Sequence, residues 1–204
     1  MGTDGYGGLL LPSGGYRRLK SFRLARLIYD ITVHFVDLYI PPDSRTCDQM
    51  VQAARSGVQN IAEGSVDGAT SAKLELNLYN VARASLEELR LDYEDYLRQH
   101  GEAVWPNDSP LYSEFVARRI ADKAGFRTFI AWAESSRPSV PLRNTPYKSV
   151  LVANATLLLI SAATFFLKRQ IESKAKTFLA NGGFAERMDR MRRKNRNGRT
   201  DKNG

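Results

Sequence analysis

Apolar residues recur at the spacing of an α-helix along four long stretches of the chain, and this repetition limits the fold more than any other feature. One face of each stretch is apolar, as expected of a helix that packs on one side. Proline or glycine interrupts the pattern between stretches, for example at Pro41 and Pro42, where the missing amide donor ends a helix. No stretch shows the alternation typical of a strand. The sequence therefore predicts an all-α protein, an antiparallel up-down four-helix bundle, with long helices at about 19–39, 46–63, 71–99 and 147–179.

The remaining segments of the 204-residue chain are expected to be appendages of this bundle. An inserted helical segment is predicted at residues 111–134, between breaks at 101–110 and 137–146. Residues 1–15 are rich in glycine and predict a flexible leader that lacks the pattern of a signal peptide. Residues 185–204 are basic and poor in apolar side chains, which predicts a disordered tail. The bundle domain would then span residues 16–184.

The second predicted helix has an inward stripe of small side chains, including Ala54 and Gly57. Small side chains allow a neighbouring helix to approach closely. Gly64 is expected to end this helix, because glycine adopts the left-handed conformation at low steric cost.

The last predicted helix contains eighteen residues without a charge, 150–167, which is long enough for a short membrane span. Polar residues such as Asn154 and Thr164 dilute this run, and its apolar stripe continues into charged sequence as far as Ile171. Apolar residues also occupy the opposite face. We therefore expect no membrane span, but a helix that is buried on two sides, against the bundle and against either the inserted segment or another subunit.

Charge and cysteine content point to the compartment and to the class of partner. The single cysteine, Cys47, cannot form an internal disulfide, so a reducing, cytoplasmic location is expected. The formal net charge is +8, and residues 186–204 hold eight Lys or Arg against three acidic residues. A basic protein favours phosphate backbones, anionic surfaces or acidic partners.

No motif in the sequence predicts an enzyme. His34, His100 and Cys47 are far apart in sequence, and the chain has no phosphate-binding loop, dinucleotide motif or nucleophile elbow. Glu88 and Asp92 lie four residues apart and are the best candidates for a metal-dependent nuclease, but ordinary charge pairs on a helix surface explain such carboxylates better. We expect no catalytic site, no metal and no cofactor.

Three basic clusters are the candidate nucleic-acid contacts. Separate basic groups around a compact body are suited to binding phosphates of RNA or DNA, with release of counterions. Solvated helix faces and a solubilising tail are the alternative interpretation. The clusters are Arg17, Arg18, Lys20, Arg23 and Arg26; then Arg118 and Arg119, near Lys123 and Arg127; and Arg187, Arg190, Arg192, Arg193 and Lys194 in the tail.

Two motifs carry a resemblance to a known family. Residues 46–57 (TCDQMVQAARSG) lead into 59–65 (QNIAEGS), and residues 80–89 read NVARASLEEL. Together they resemble the four-helix-bundle family found in intervening sequences of large-subunit ribosomal RNA genes, which includes the accessory variability determinants of diversity-generating retroelements. The C-terminal part, through 168–172 to 182–184, is similar to the longer branch with a "suffix" domain. The resemblance covers about residues 19–184, and the insertion at 111–146 and the basic tail depart from it.

The resemblance implies a homo-oligomeric ring, a pentamer in the retroelement proteins, that binds nucleic acid and a reverse transcriptase through basic residues. The motif positions carried over are expected to be structural, with hydrogen bonds between the second and third helices: Asn60, Glu63, Gly64, Ser85 and Glu88. Our leading hypothesis is a non-enzymatic, oligomeric, nucleic-acid-binding accessory protein, with a reverse transcriptase as a candidate partner. The alternative is a protein-interaction scaffold with no direct role in nucleic-acid binding.

Overall fold

The computed structural model describes residues 15–68, 70–136, 147–183 and 186–193. All regular secondary structure in these ranges is helical, which confirms the all-α prediction. A 3-10 turn (Gly15–Arg18) precedes the α-helices: α1 (Lys20–Tyr39), α2 (Arg45–Asp67), α3 (Ala72–Gln99), α4 (Pro110–Arg118), α5 (Lys123–Ser135) and α6 (Tyr147–Asn181). Residues 186–193 are also helical, although the sequence predicted disorder there. The predicted leader up to residue 14, the linker 137–146 and the tail from residue 194 lie outside the described residues.

Side-chain caps explain where four of the helices begin. In each, an oxygen of the residue before the helix accepts a hydrogen bond from a free backbone amide of the first turn. Pro110 occupies the first position of α4, where its missing amide costs nothing. The capping residues are Ser44, Ser71, Ser109 and Asp122, which accept from the amides of Thr46, Leu74, Tyr112 and Gly125.

Each of the four long helices packs against two others. α1 and α3 both contact α2 and α6. Across the space between them, the ring of Phe35 on α1 lies 4.9 Å from the rings of both Tyr93 and Tyr96 on α3. Thr32 and Tyr93 share a buried hydrogen bond of 3.1 Å between their hydroxyl oxygens. The main hydrophobic core therefore lies between the four long helices.

Gly64 does not end α2, so that prediction was wrong. The helix continues to Asp67, and Gly64 is buried against α3. A Cβ atom at Gly64 would lie 2.8 Å from Cε1 of Tyr79 and 3.2 Å from the carbonyl oxygen of Glu75. Glycine is needed here because a neighbouring helix comes very close. Gly57 plays the same part, since its Cβ would lie 3.0 Å from Cδ2 of Leu86, and there the predicted close approach is confirmed.

The predicted insertion consists of two helices. Arg119 separates α4 from α5, with a left-handed backbone of φ 48°. Phe115 on α4 meets Phe129 on α5 edge to face, with ring centroids 5.0 Å apart. Asn154 on α6 accepts a hydrogen bond of 2.7 Å from the backbone amide of Trp105. The insertion and the segment before it are thus held against α6.

α6 is buried on more than one side, as its apolar faces predicted. It packs against α1, α3 and α5, and Leu151 and Ile160 are fully buried. The length of α6 would also suit a membrane span, as would the mean hydropathy of 2.2 over an 18-residue window within it. However, 61% of that window is buried inside the protein. The core helix of a soluble protein meets the same criteria.

Candidate nucleic-acid interface

The N-terminal basic cluster lies on the 3-10 turn and the first half of α1. The apolar residues of the same helix, such as Leu24 and Ile28, point into the core, which leaves the cationic positions outside. In the described part of the chain, none of these cations lies within ion-pair distance of a carboxylate. The exposed residues are Arg17, Arg18, Lys20, Arg23 and Arg26.

Arg119 joins this cluster in space. Lys20 and Arg23 on α1 and Arg119 at the end of α4 line one cleft of about 660 Å³, whose opposite wall is α6. The left-handed backbone at Arg119 turns the chain between α4 and α5 at this point. Two basic groups that are about 95 residues apart in sequence therefore converge on one side of the protein.

Arg118, which the sequence grouped with Arg119, has a different environment. Its Nε donates a 2.8 Å hydrogen bond to Oε1 of Glu114. Its guanidinium also lies over the Trp132 ring, 4.7 Å from the centroid. The ion pair lies within α4, whereas the ring contact joins α4 to α5, so Arg118 is better suited to holding the insertion together than to binding phosphate.

The basic residues of the tail are only partly described. Arg187 donates a hydrogen bond of 3.1 Å to the carbonyl oxygen of Gly182, and Arg193 forms an ion pair of 3.0 Å with Asp189. Arg190 and Arg192 are exposed, and Lys194 lies outside the described residues. None of the described tail residues lines the cleft.

The motif residues meet between α2 and α3, but only some of them link the helices. The hydroxyl oxygens of Ser56 and Ser85 are 2.9 Å apart, which connects α2 with α3. Asn60 donates hydrogen bonds to the carbonyl and hydroxyl oxygens of Ser56, and so orients this link from within α2. Glu63 and Glu88 are exposed, and among the described residues neither hydrogen-bonds to the other helix. Ser56 lies inside the first motif, but its role depends on its position opposite Ser85.

A second groove lies between α2 and α3, and it is acidic. Asp48, Glu88 and Asp92 line it. Burial raises the pKa of Asp92, and the negative charges of Asp95 and Glu88 raise it further. No group of three or more His, Cys, Asp or Glu in the described ranges is arranged to hold a metal ion. This groove repels phosphate, in contrast to the cleft at α1.

A buried carboxylate at the start of α3 was not predicted from the sequence. Glu75 is 2% exposed and forms an ion pair of 2.7 Å with Nζ of Lys174 on α6. The buried Tyr79 hydroxyl donates a 2.8 Å hydrogen bond to Glu75. Burial raises the pKa of Tyr79, and the neighbouring carboxylate raises it further, so the phenol remains a donor. Helical periodicity marks Glu75 as one more polar residue and cannot reveal its distant partner.

No family model, curated protein or solved structure matches the chain. The electrostatics of the basic surface at α1 suit the binding of an extended polyanion, because several cations without an ion pair share it. Two carboxylates on the same helices, Asp30 on α1 and Glu114 on α4, are paired with Lys123 and Arg118.

Proposed function

We propose that this chain is a non-enzymatic, oligomeric accessory protein that binds nucleic acid through its phosphates. The observation that carries the proposal is the convergence of Lys20, Arg23 and Arg119 on one cleft, with further unpaired cations beside it. For the protein partner, the candidate that the family resemblance implies is a reverse transcriptase. A phosphate backbone follows such a surface without any base-specific contact.

The proposed fold is an antiparallel up-down four-helix bundle. It is supported by the packing of α1, α2, α3 and α6, each of which contacts two of the other three helices. Only residues 40–44 connect α1 to α2, and only residues 68–71 connect α2 to α3. Connections this short join antiparallel neighbours.

The proposed oligomer is supported by an exposed apolar stripe on α3. Leu74 and Val81 are 43% and 48% exposed, and Leu78 between them is partly exposed. Their spacing of four and seven residues places them on one helix face. A second copy of the chain is the proposed partner of this stripe, and the pentameric ring is what the family resemblance implies. The same stripe is the observation that favours the alternative, a protein-interaction scaffold.

The test is binding of labelled RNA and DNA across a salt series. The triple variant Lys20→Ala/Arg23→Ala/Arg119→Ala is compared with a control of equal charge, Arg55→Ala/Lys73→Ala/Arg83→Ala, which changes exposed cations on α2 and α3. Each phosphate contact contributes about 0.7 to 0.9 to the slope of log affinity against log salt. We expect the first variant to lower that slope by about 2 to 3, and the control to leave most of it unchanged.

Other outcomes separate the hypotheses. If the full chain binds neither RNA nor DNA at low salt, the nucleic-acid proposal fails and the alternative, a protein-interaction scaffold, is favoured. Equal losses in both triple variants would mean that net charge, rather than this surface, attracts the ligand. A chain truncated after Phe184 shows whether the tail contributes. Light scattering of Val81→Glu tests the oligomer, which we expect to dissociate.

A further inference from the structure

The cleft at α1 has a second property that phosphate binding does not use: its interior is apolar. The walls come from three helices, with Leu24 on α1, Phe115 on α4 and Leu159 on α6 all buried beneath it. At the mouth, Val116 is 54% exposed and Phe166 is partly exposed. A volume of about 660 Å³ lies in the range of sites that hold one small molecule.

The polar groups of the cleft restrict the ligand further. Among the residues that the structure describes, Lys20, Arg23 and Arg119 are its only charged lining residues, and no carboxylate lines it. Of the two lining hydroxyls, Ser161 already donates to the carbonyl oxygen of Leu157. A sugar or a base would therefore leave its own polar groups unsatisfied inside the cleft, which is costly. An aliphatic body with an acidic head has no such cost.

We propose that this cleft binds a single-chain anionic amphiphile, a long-chain carboxylate, with the tail against α4 and α6 and the head beside Lys20, Arg23 and Arg119. The apolar lining supports this ligand independently of the nucleic-acid proposal. It also has a consequence for that proposal. The head and a phosphate would use the same three cations, so the amphiphile competes with nucleic acid.

Calorimetry with monomeric octanoate, decanoate and dodecanoate tests the site. Each buried methylene tightens binding about fourfold as long as the tail still fits, so affinity should rise steeply along the series. Ala162→Phe places a ring in the cleft without changing the charge, and we expect it to weaken dodecanoate binding tenfold or more. Ala131→Phe makes the same change at an exposed position on α5 outside the cleft and should bind normally.

Charge is tested separately from shape. Arg119→Gln should weaken dodecanoate binding but leave binding of the uncharged dodecanol nearly unchanged, since only the head meets the cation. Circular dichroism checks that each variant folds. If Ala162→Phe does not fold, Val116→Glu replaces it, because a carboxylate at the exposed mouth repels the acid head.

Four results would overturn the proposal. The first is no heat of binding with dodecanoate up to its solubility limit. The second is equal binding by Ala162→Phe and Ala131→Phe. The third is binding only to phosphatidylglycerol vesicles, which would assign the surface to a membrane. The fourth is a smaller particle mass for Ala162→Phe in light scattering without ligand, which would assign the surface to a second copy of the chain. Binding of RNA that persists in Ala162→Phe would show that the nucleic-acid proposal survives such a failure.

Discussion

Replacement of Gly64 by alanine is the most direct test of how α2 and α3 fit together. The added Cβ would lie 2.8 Å from Cε1 of Tyr79 and 3.2 Å from the carbonyl oxygen of Glu75. Neither neighbour moves easily. The Tyr79 side chain is 1% exposed, its hydroxyl is held by Glu75, and the carbonyl oxygen belongs to the α3 backbone.

Two opposing effects set the size of the change. Overpacking costs about 1–3 kcal/mol, and because neither neighbour moves easily we expect the upper part of that range, about 2–3 kcal/mol. Alanine within a helix gains about 1 kcal/mol over glycine. We therefore expect Gly64→Ala to lower the free energy of unfolding by about 1–2 kcal/mol.

Urea unfolding followed by circular dichroism at 222 nm measures this loss at a fixed protein concentration. With an m-value of about 2 kcal/mol/M, the midpoint should fall by about 0.5–1 M. Gly125→Ala is the matched control, because its Cβ would meet nothing closer than Oδ1 of Asp122 at 3.4 Å. We expect it to be neutral or stabilising by up to about 1 kcal/mol.

A Gly64→Ala protein as stable as the parent would refute the reasoning. A second check is the background Tyr79→Leu, which removes the ring. There the cost of Gly64→Ala should shrink, because the two sites are in contact and their effects do not add. An unchanged cost in that background would mean that the ring is not its source.

Three further predictions concern polar groups. Asn154→Ala should destabilise the protein by about 2–3 kcal/mol, because the amide of Trp105 loses its acceptor. Lys174→Met leaves the buried Glu75 without its cation. Since the Lys174 side chain is 40% exposed, we expect the free energy of unfolding to fall by about 1–2 kcal/mol, less than for a fully buried pair. Asp92→Asn should stabilise the protein at pH 7, because the raised pKa of Asp92 means that its charged form is disfavoured in the fold. That advantage should vanish below pH about 4, where the carboxyl is protonated both folded and unfolded.

Urea unfolding at pH 7, and for Asp92 across a pH series, measures all three. The controls are the same substitutions at exposed positions: Asn80→Ala, Lys176→Met and Asp43→Asn. Each control should change stability by less than about 0.5 kcal/mol. A variant that cannot be distinguished from its control would show that the hydrogen bond, ion pair or repulsion in question does not affect stability. If the stability advantage of Asp92→Asn instead grows as the pH falls, the inference that the fold disfavours the charged form of Asp92 is wrong.

Helix positions could be predicted from the sequence where the signal is local. The first helix was expected at 19–39 and is found at Lys20–Tyr39, since apolar spacing and two prolines define it. Gly64 shows the limit. A glycine inside a helical pattern suits a helix end or a close contact, and only the position of Tyr79 in the fold decides between them. The break at Arg119 was missed for a related reason, since arginine rarely adopts a left-handed backbone.

In the candidate site, too, local sequence predicts some features and tertiary packing determines the others. The cluster on α1 was predictable because its members are near neighbours in sequence and alternate with apolar residues. Its union with Arg119 depends on the packing of α4 against the bundle, which no local pattern encodes. Arg118 and Arg119 are adjacent and chemically identical, and yet one is paired with Glu114 while the other faces the cleft.

The pairing of α1 with α6 has a consequence during synthesis. The two helices are neighbours in the fold, and a 2.7 Å hydrogen bond from Ser21 to Gln170 is one of their contacts. In the sequence, however, roughly 140 residues separate the end of α1 from the end of α6. At about 5–20 residues per second, a ribosome needs on the order of ten seconds to make that stretch. During this interval the nascent chain presents first the apolar face of α1 and then that of α3, both of which α6 will later cover. Chaperones that recognise such surfaces would have their opportunity then, before the last helix leaves the exit tunnel.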